Sequence, residues 1–283
     1  MPTIITRGAA SARAYGFGAK AGKVIGSQSY TTPGTYTWIA PAGVTKVSAV
    51  AIGGGGSGAR GCWCICVAKS AKGGTAASLA YLNNYSVTPG NSYTVIVGAA
   101  TYPGAGNYSS FVNTTTLKAS AGCGTCSSVG TAKYSGGAGG TGCCCCNGGG
   151  GGAGGYSGAG GRGGKGHVGG AANGTGGGGG GGYTGYYPSN KAGGGGGGVG
   201  LYGQGGNGLA GSTSGAGGGG GSGGNAGQTV SGTNGGTGGL YGGGGGGGSS
   251  YVDNPGGKGG CGAVRIVWPG CSRQFPSTCV GSP

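Results

Sequence analysis

The chain alternates between two kinds of text. Ordinary β-type patterning at its two ends brackets a long interior with almost no side chains. Near the start, Ser29–Thr32 and Thr35–Ile39 are short runs rich in Tyr, Thr and Trp, separated by the turn dipeptide Pro33-Gly34. Val44–Ile52 carries apolar residues on both faces, so it predicts a strand buried inside a sheet. Thr75–Leu82, Ser92–Val97 and Thr116–Ser120 read as further strands, with Pro89-Gly90 marking the turn before Ser92. Short strands at this spacing predict a sandwich. Helix signals are nearly absent, because the carboxylates that cap helices and pair at i,i+4 are missing. At the far end, Ala263–Trp268 is an uninterrupted strand stopped by Pro269-Gly270. It needs partners, and the suitable ones lie in the first module. The expectation is an all-β fold: a β-sandwich over residues 27–120, closed by strand 262–268, with the segment between them inserted.

That inserted segment, 121–260, has glycine runs at 148–152, 176–182, 193–198, 217–221 and 242–248. Glycine makes up 91 of the 283 residues and charged residues only 6%, against about 25% in ordinary soluble domains. Glycine tracts are usually flexible linkers, because glycine loses the most entropy on folding and has no side chain to bury. The alternative is a bundle of polyproline-II-like helices, here polyglycine II. Such helices turn every three residues and form no internal hydrogen bonds, so side-chain-free neighbours can pair backbone to backbone. The segment lacks the solvating residues of a linker, and we expect the packed bundle. A collagen helix is excluded, since there is no strict Gly-X-Y period and little proline.

Short inserts between the runs become exposed loops, and loops on rigid scaffolds carry recognition. Their composition nominates Tyr183, Tyr186, Tyr187, Leu201, Tyr202, Asn207, Tyr241 and Tyr251, within the loops Tyr183–Asn190, Leu201–Asn207 and Tyr251–Asn254. The competing reading is that Tyr and Leu cap the ends of the bundle. The cysteines Cys62, Cys64, Cys66, Cys123, Cys126, Cys143, Cys144, Cys145 and Cys146 are candidates for a disulfide or thiol cluster. Cys123-Gly-Thr-Cys126 has the spacing of half a zinc site. Four adjacent cysteines do not make the usual second half, so no metal is assigned. Buried thiols filling gaps against glycine remain open beside bridging.

Charge narrows the function. Lys and Arg number 16 and the net charge is +15, while Asp253 is the only acid. Paired-carboxylate catalysis is therefore impossible within one chain. A Ser-His-Asp triad would need both His167 and Asp253, with no nucleophile elbow near either. Gly53–Gly56 follows a strand, but no helix pattern follows it, so no dinucleotide loop is read there. The basic residues are dispersed and no recognition motif accompanies them, so no specific nucleic-acid partner is expected. No cofactor is expected. No apolar run has the length of a membrane span, and Met1–Lys23 does not read as a secretory signal. Residues 1–26 read as an extended docking arm and 269–283 as a C-terminal tail.

Ser29–Gly56, SYTTPGTYTWIAPAGVTKVSAVAIGGGG, resembles the opening of glycine-rich domains in structural proteins of tailed bacteriophages. Gly262–Ser277, GAVRIVWPGCSRQFPS, resembles their close, and the leader TRGAASARAYGFG is similar to the N-termini of such virion proteins. A looser similarity is to glycine-rich ectodomains in which polyglycine helices are inserted into a jelly-roll sandwich, and to tail-tip adhesins with stacked polyglycine helices. The resemblance implies a jelly-roll-like β-sandwich and a non-enzymatic virion component. It would be a homo-oligomer that docks on other virion proteins through its N-terminal arm. As a tail-fibre or tail-tip adhesin it would contact host surface polysaccharide or an outer-membrane protein. The alternative is a capsid decoration protein or a self-assembling fibre subunit.

Overall fold

The computed structural model describes residues 24–61, 71–122, 127–142, 146–166, 170–186, 191–249 and 253–281. Residues 1–23 of the predicted arm and most of the cysteine cluster (Cys62, Cys64, Cys66, Cys123, Cys126, Cys143, Cys144 and Cys145) lie outside the described residues, as do Tyr187, Tyr251 and His167, while Gly26, the last residue of that arm, belongs to a strand of the sandwich.

The described residues form eleven strands: β1 (Gly26–Tyr30), β2 (Gly34–Ile39), β3 (Lys46–Ile52), β4 (Leu79–Ser86), β5 (Ser92–Val97), β6 (Ser109–Phe111), β7 (Leu117–Ala119), β8 (Ala132–Tyr134), β9 (Cys146–Asn147), β10 (Gly185–Tyr186) and β11 (Ala263–Trp268). One antiparallel sheet has the order β1-β11-β3-β4-β8 and another the order β2-β5-β6-β7. They face each other as a sandwich. Val47, Ala49, Ala51, Leu82, Val264, Ile266 and Trp268 of the first sheet meet Trp38, Val95, Phe111 and Leu117 of the second. Trp38 sits at the centre, its ring 5.9 Å from both Phe111 and Trp268. Such tilted and edge-on aromatic pairs stabilise beyond the area they bury.

β11 pairs with β1 on one side and β3 on the other, and every residue in it is buried. The strand that follows the glycine segment therefore completes the middle of the first sheet. The predicted strand at 75–82 is displaced to 79–86, because residues 71–78 belong to the glycine packing.

Over the glycine runs the chain is neither helix nor strand. Its backbone bonds nevertheless follow a rule. Gly53, Gly56 and Ala59 donate to Ser78, Thr75 and Lys72. Gly54 and Ser57 donate to Asn107 and Gly104. Gly55, Gly58 and Gly61 donate to Gly260, Gly257 and Asn254. Every third N–H thus points to the same neighbour. The run 148–154 is enclosed on all sides. It donates to 71–77, 161–164 and 194–197, and it accepts from 137–140, 179–182 and 244–247. Runs 193–199 and 242–248 are surrounded in the same way, and the three central runs bond to one another. In these three central runs every N–H donates to a backbone carbonyl, which is how a segment without side chains meets the cost of leaving water.

A side chain has no room in the centre. A Cβ at Gly150, Gly196 or Gly246 would stand closer than 3.0 Å to the carbonyl oxygen of Gly244, Gly151 or Gly193 respectively. On outer runs the position facing solvent recurs every third residue, and there the sequence leaves glycine: Arg162 and Lys165, Asn225 and Gln228, Asn234 and Thr237 are all exposed.

The bundle continues the sheet. Runs 53–61 and 71–78 extend β3 and β4, and 254–262 leads into β11, so three adjacent strands pass into three adjacent runs. A second apolar cluster seals the junction. Val50, Ile52, Leu79, Tyr81 and Val267 on the outer sheet face meet Ala153, Tyr156, Val199 and Leu201, with Phe275 and Val280 from the tail. Tyr156 stacks on Phe275 with centroids 5.7 Å apart and donates its hydroxyl to the Gly200 carbonyl at 3.0 Å.

This chemistry sets an unusual pH profile. Burial raises the pKa of Tyr156 far above the ordinary phenol value, and it raises Tyr30, Tyr81 and Tyr241 to a lesser degree. A raised phenol pKa means that the unfolded chain releases its proton first. This stabilisation is complete below the unfolded value of about 10 and is lost as pH rises above it. Acid unfolding mostly reflects protonation of native carboxylates, and this chain has only one. We expect melting temperature to be nearly flat from about pH 7 to about pH 3 and to fall steeply above about pH 10. A scan showing a large loss in acid and none in alkali would contradict this.

Candidate functional site at the tip of the bundle

The hydrogen-bond ladders give each end of the bundle an identity. Gly53, Ser78 and Gly260 adjoin the sheet and mark the base, while Gly61, Ala71 and Asn254 mark the far end. Gly154 bonds Ala77 near the base and Gly148 bonds Ala71 at the far end. Val199 bonds Tyr241 near the base and Gly193 bonds Gly247 at the far end. Segments 155–159, 201–207 and 240–241 are therefore at the base. Segments 146–147, 184–186, 212–214 and 230–234 form the tip.

The nominated loop residues divide between these ends. Tyr183 is half-buried near the tip, and Tyr186 pairs with Cys146 through β10 and β9. Leu201, Tyr202, Asn207 and Tyr241 belong to the base. Leu201 requires a correction: it is 4% exposed and packs in the junction cluster, because the outer sheet face needs an apolar cover there. Tyr241 is half-buried and Asn207 accepts the Gly177 N–H, so both consolidate the base. These residues follow the end-cap reading. Tyr202 is 60% exposed, but its ring lies 4.5 Å from the Arg265 guanidinium.

Arg265 is buried on the outer face of β11. It donates to the carbonyls of Leu201 and Gly281 and to the Ser27 hydroxyl. Arg273, also buried, donates to the carbonyls of Gly26, Trp268 and Val280. Burial lowers the pKa of both groups, and for Arg265 the nearby Arg273 charge adds to the effect. These carbonyl dipoles and the Tyr202 face solvate the cations in place of carboxylates, so the pair ties tail, β1 and bundle base together.

At the tip Cys146 is buried in β9, and Asn147 beside it donates to the Lys191 carbonyl and accepts the Thr184 hydroxyl through its own carbonyl. Among the described residues no cluster of His, Cys, Asp and Glu has the makings of a metal site. Asp253 pairs with Arg60 near the tip, both exposed. Residues 192–252 contain no charged residue, so one flank of the bundle is neutral while Lys72, Arg162 and Lys165 mark the other. The sequence reading followed aromatics and passed over the tip segments 212–214 and 228–234. Their Ser, Thr and Asn clusters between glycine runs were the available signal.

No curated protein matches the chain. Residues 31–269 match the family model described as a glycine-rich domain, from just before β2 to just past β11. With the sandwich, the bundle and their junction all inside that match, the chain belongs to the glycine-rich domain family.

Proposed function

We propose that this chain is a virion adhesin of the tail-fibre or tail-tip type, with rods of polyglycine II that hold recognition loops away from an anchoring sandwich. The observation that carries this reading is the polarity of the bundle. The ladders place the sheets and the start of the described chain at one end, and a group of polar turns at the other. The three-residue period supports the polyglycine II assignment of the rods. A scaffold satisfied internally along its length leaves its turns as the part free to bind. The resemblance of the end motifs to phage structural proteins supplies the setting, with residues 1–26 docking on other virion proteins. Host polysaccharide or an outer-membrane protein is the expected target. Binding without catalysis agrees with the single carboxylate and its pairing to Arg60.

Antibodies raised against segments 212–214 and 228–234 provide the test. On virions they should label the distal end of the tail and block adsorption to host cells. Labelling over the capsid, with adsorption intact, would replace the adhesin with a decoration protein.

A further inference from the structure

The tip segment from Gln228 to Asn234 differs from the rest of the bundle. It lines an open cleft of about 380 Å³, within the usual range of small-ligand sites. Its frame is fixed from several sides. Val230 donates to the Gly215 carbonyl at 2.9 Å, and Gly235 to Pro255 at 3.0 Å. The Gly232 and Thr233 carbonyls accept from Ala192 at 3.0 Å and Ser249 at 2.7 Å. Inside that frame the polar groups are unspent. Among the described residues, neither the side chains of Ser231, Thr233 and Asn234 nor the N–H groups of residues 231–234 enter a hydrogen bond. In the three central runs, by contrast, every N–H is used.

Gly232 adds an independent sign. At most other described glycines a backbone neighbour or a positive φ demands the residue, with Gly170 and Gly206 sharing the freedom of Gly232. At Gly232 a Cβ would meet nothing within 4 Å, and its φ lies outside the left-handed region. Nothing inside the chain requires glycine there. A bare backbone in a cleft does allow a ligand to approach closely.

We propose that this cleft is a binding subsite for a neutral sugar unit, a hexose of a surface polysaccharide, which rests on the adhesin reading above. Hydroxyls, a carboxamide and free N–H groups match the mixed donors and acceptors of sugar hydroxyls. No charged side chain lines the cleft, so a carboxylated or phosphorylated sugar would find no counter-ion.

The test is saturation-transfer NMR on the full chain, with maltose, lactose and methyl mannoside as neutral probes and glucuronate as the acidic one. At least one neutral sugar should receive saturation and glucuronate should not. Gly232→Val fills the open space and should weaken binding by roughly ten-fold or more with an unchanged melting temperature. Asn234→Ala should fall between. Absence of any neutral-sugar signal, preference for glucuronate, or a signal that survives Gly232→Val overturns the proposal. Host-cell binding by wild type and Gly232→Val separates the two readings. Equal binding by both proteins rejects the cleft and leaves the adhesin standing. Sugar binding through the cleft without any cell binding supports the cleft and rejects the adhesin.

Discussion

A chain lacking residues 261–283 will show no cooperative melting transition. β11 is the second strand of a five-stranded sheet and holds β1 to β3, so its loss separates them. Val264, Ile266 and Trp268 leave the space between the sheets, and Ala263 and Val267 leave the junction with the bundle. Each large apolar side chain is worth about 1.5–3 kcal/mol when fully buried. Four of them together match the roughly 5–15 kcal/mol that holds a whole domain folded. The tail adds Phe275 against Tyr156 and Arg273 against three carbonyls. The cut also removes the Cys261 carbonyl that accepts from Gly242 and the Gly262 N–H that donates to Gly98. The single change Ile266→Ala provides a graded version, with an expected loss of about 2–5 kcal/mol. Scanning calorimetry checks both. A truncated chain that melts like the intact one would mean that the two modules fold without the closing strand.

That the sandwich closes after the glycine segment was legible because Ala263–Trp268 reads as a strand with no partner nearby in sequence. Val44–Ile52 and Ser92–Val97 were legible by the same apolar patterning, and they appear as β3 and β5. β6 and β8 were not, since Ser-Ser-Phe and Ala-Lys-Tyr show no apolar run or alternation that extends beyond three residues. Residues 75–78 looked like the start of a strand because alanine and serine satisfy a lateral run as well as a sheet edge. Burial of Leu201 was hidden because its partners, Val267 and Phe275, lie far along the chain. The division into base and tip was hidden for a deeper reason. Chain order shows where the runs turn, but only the bonding ladders show which turns share an end. The three-residue spacing of Arg162 and Lys165 did carry the inside-outside code of the outer runs.

The same code makes the central glycines the most sensitive positions outside the sheet. Gly196 lies in one of the three enclosed runs. It donates to Gly244 at 2.9 Å and accepts from Gly239 at 2.9 Å. A Cβ there would press on the Gly151 carbonyl, which already accepts from Gly244 at 2.9 Å. The obstacle is backbone on every side, so no rotamer change relieves it. Gly196→Val should cost about 1–3 kcal/mol for overpacking and about 1 kcal/mol for each lateral bond that yields. Replacing glycine also stiffens the unfolded chain, which favours folding by about 0.4–1 kcal/mol. The clash wins, and a net loss of roughly 3–5 kcal/mol follows, lowering the melting temperature by about 10 °C. Gly206→Val is the control, because a Cβ at Gly206 meets nothing within 4 Å and should leave melting unchanged. If both variants melt like wild type, the glycine runs do not pack as a lattice and behave as a linker. If Gly196→Val alone falls, close backbone packing is what fixes the bundle, and with it the position of the tip.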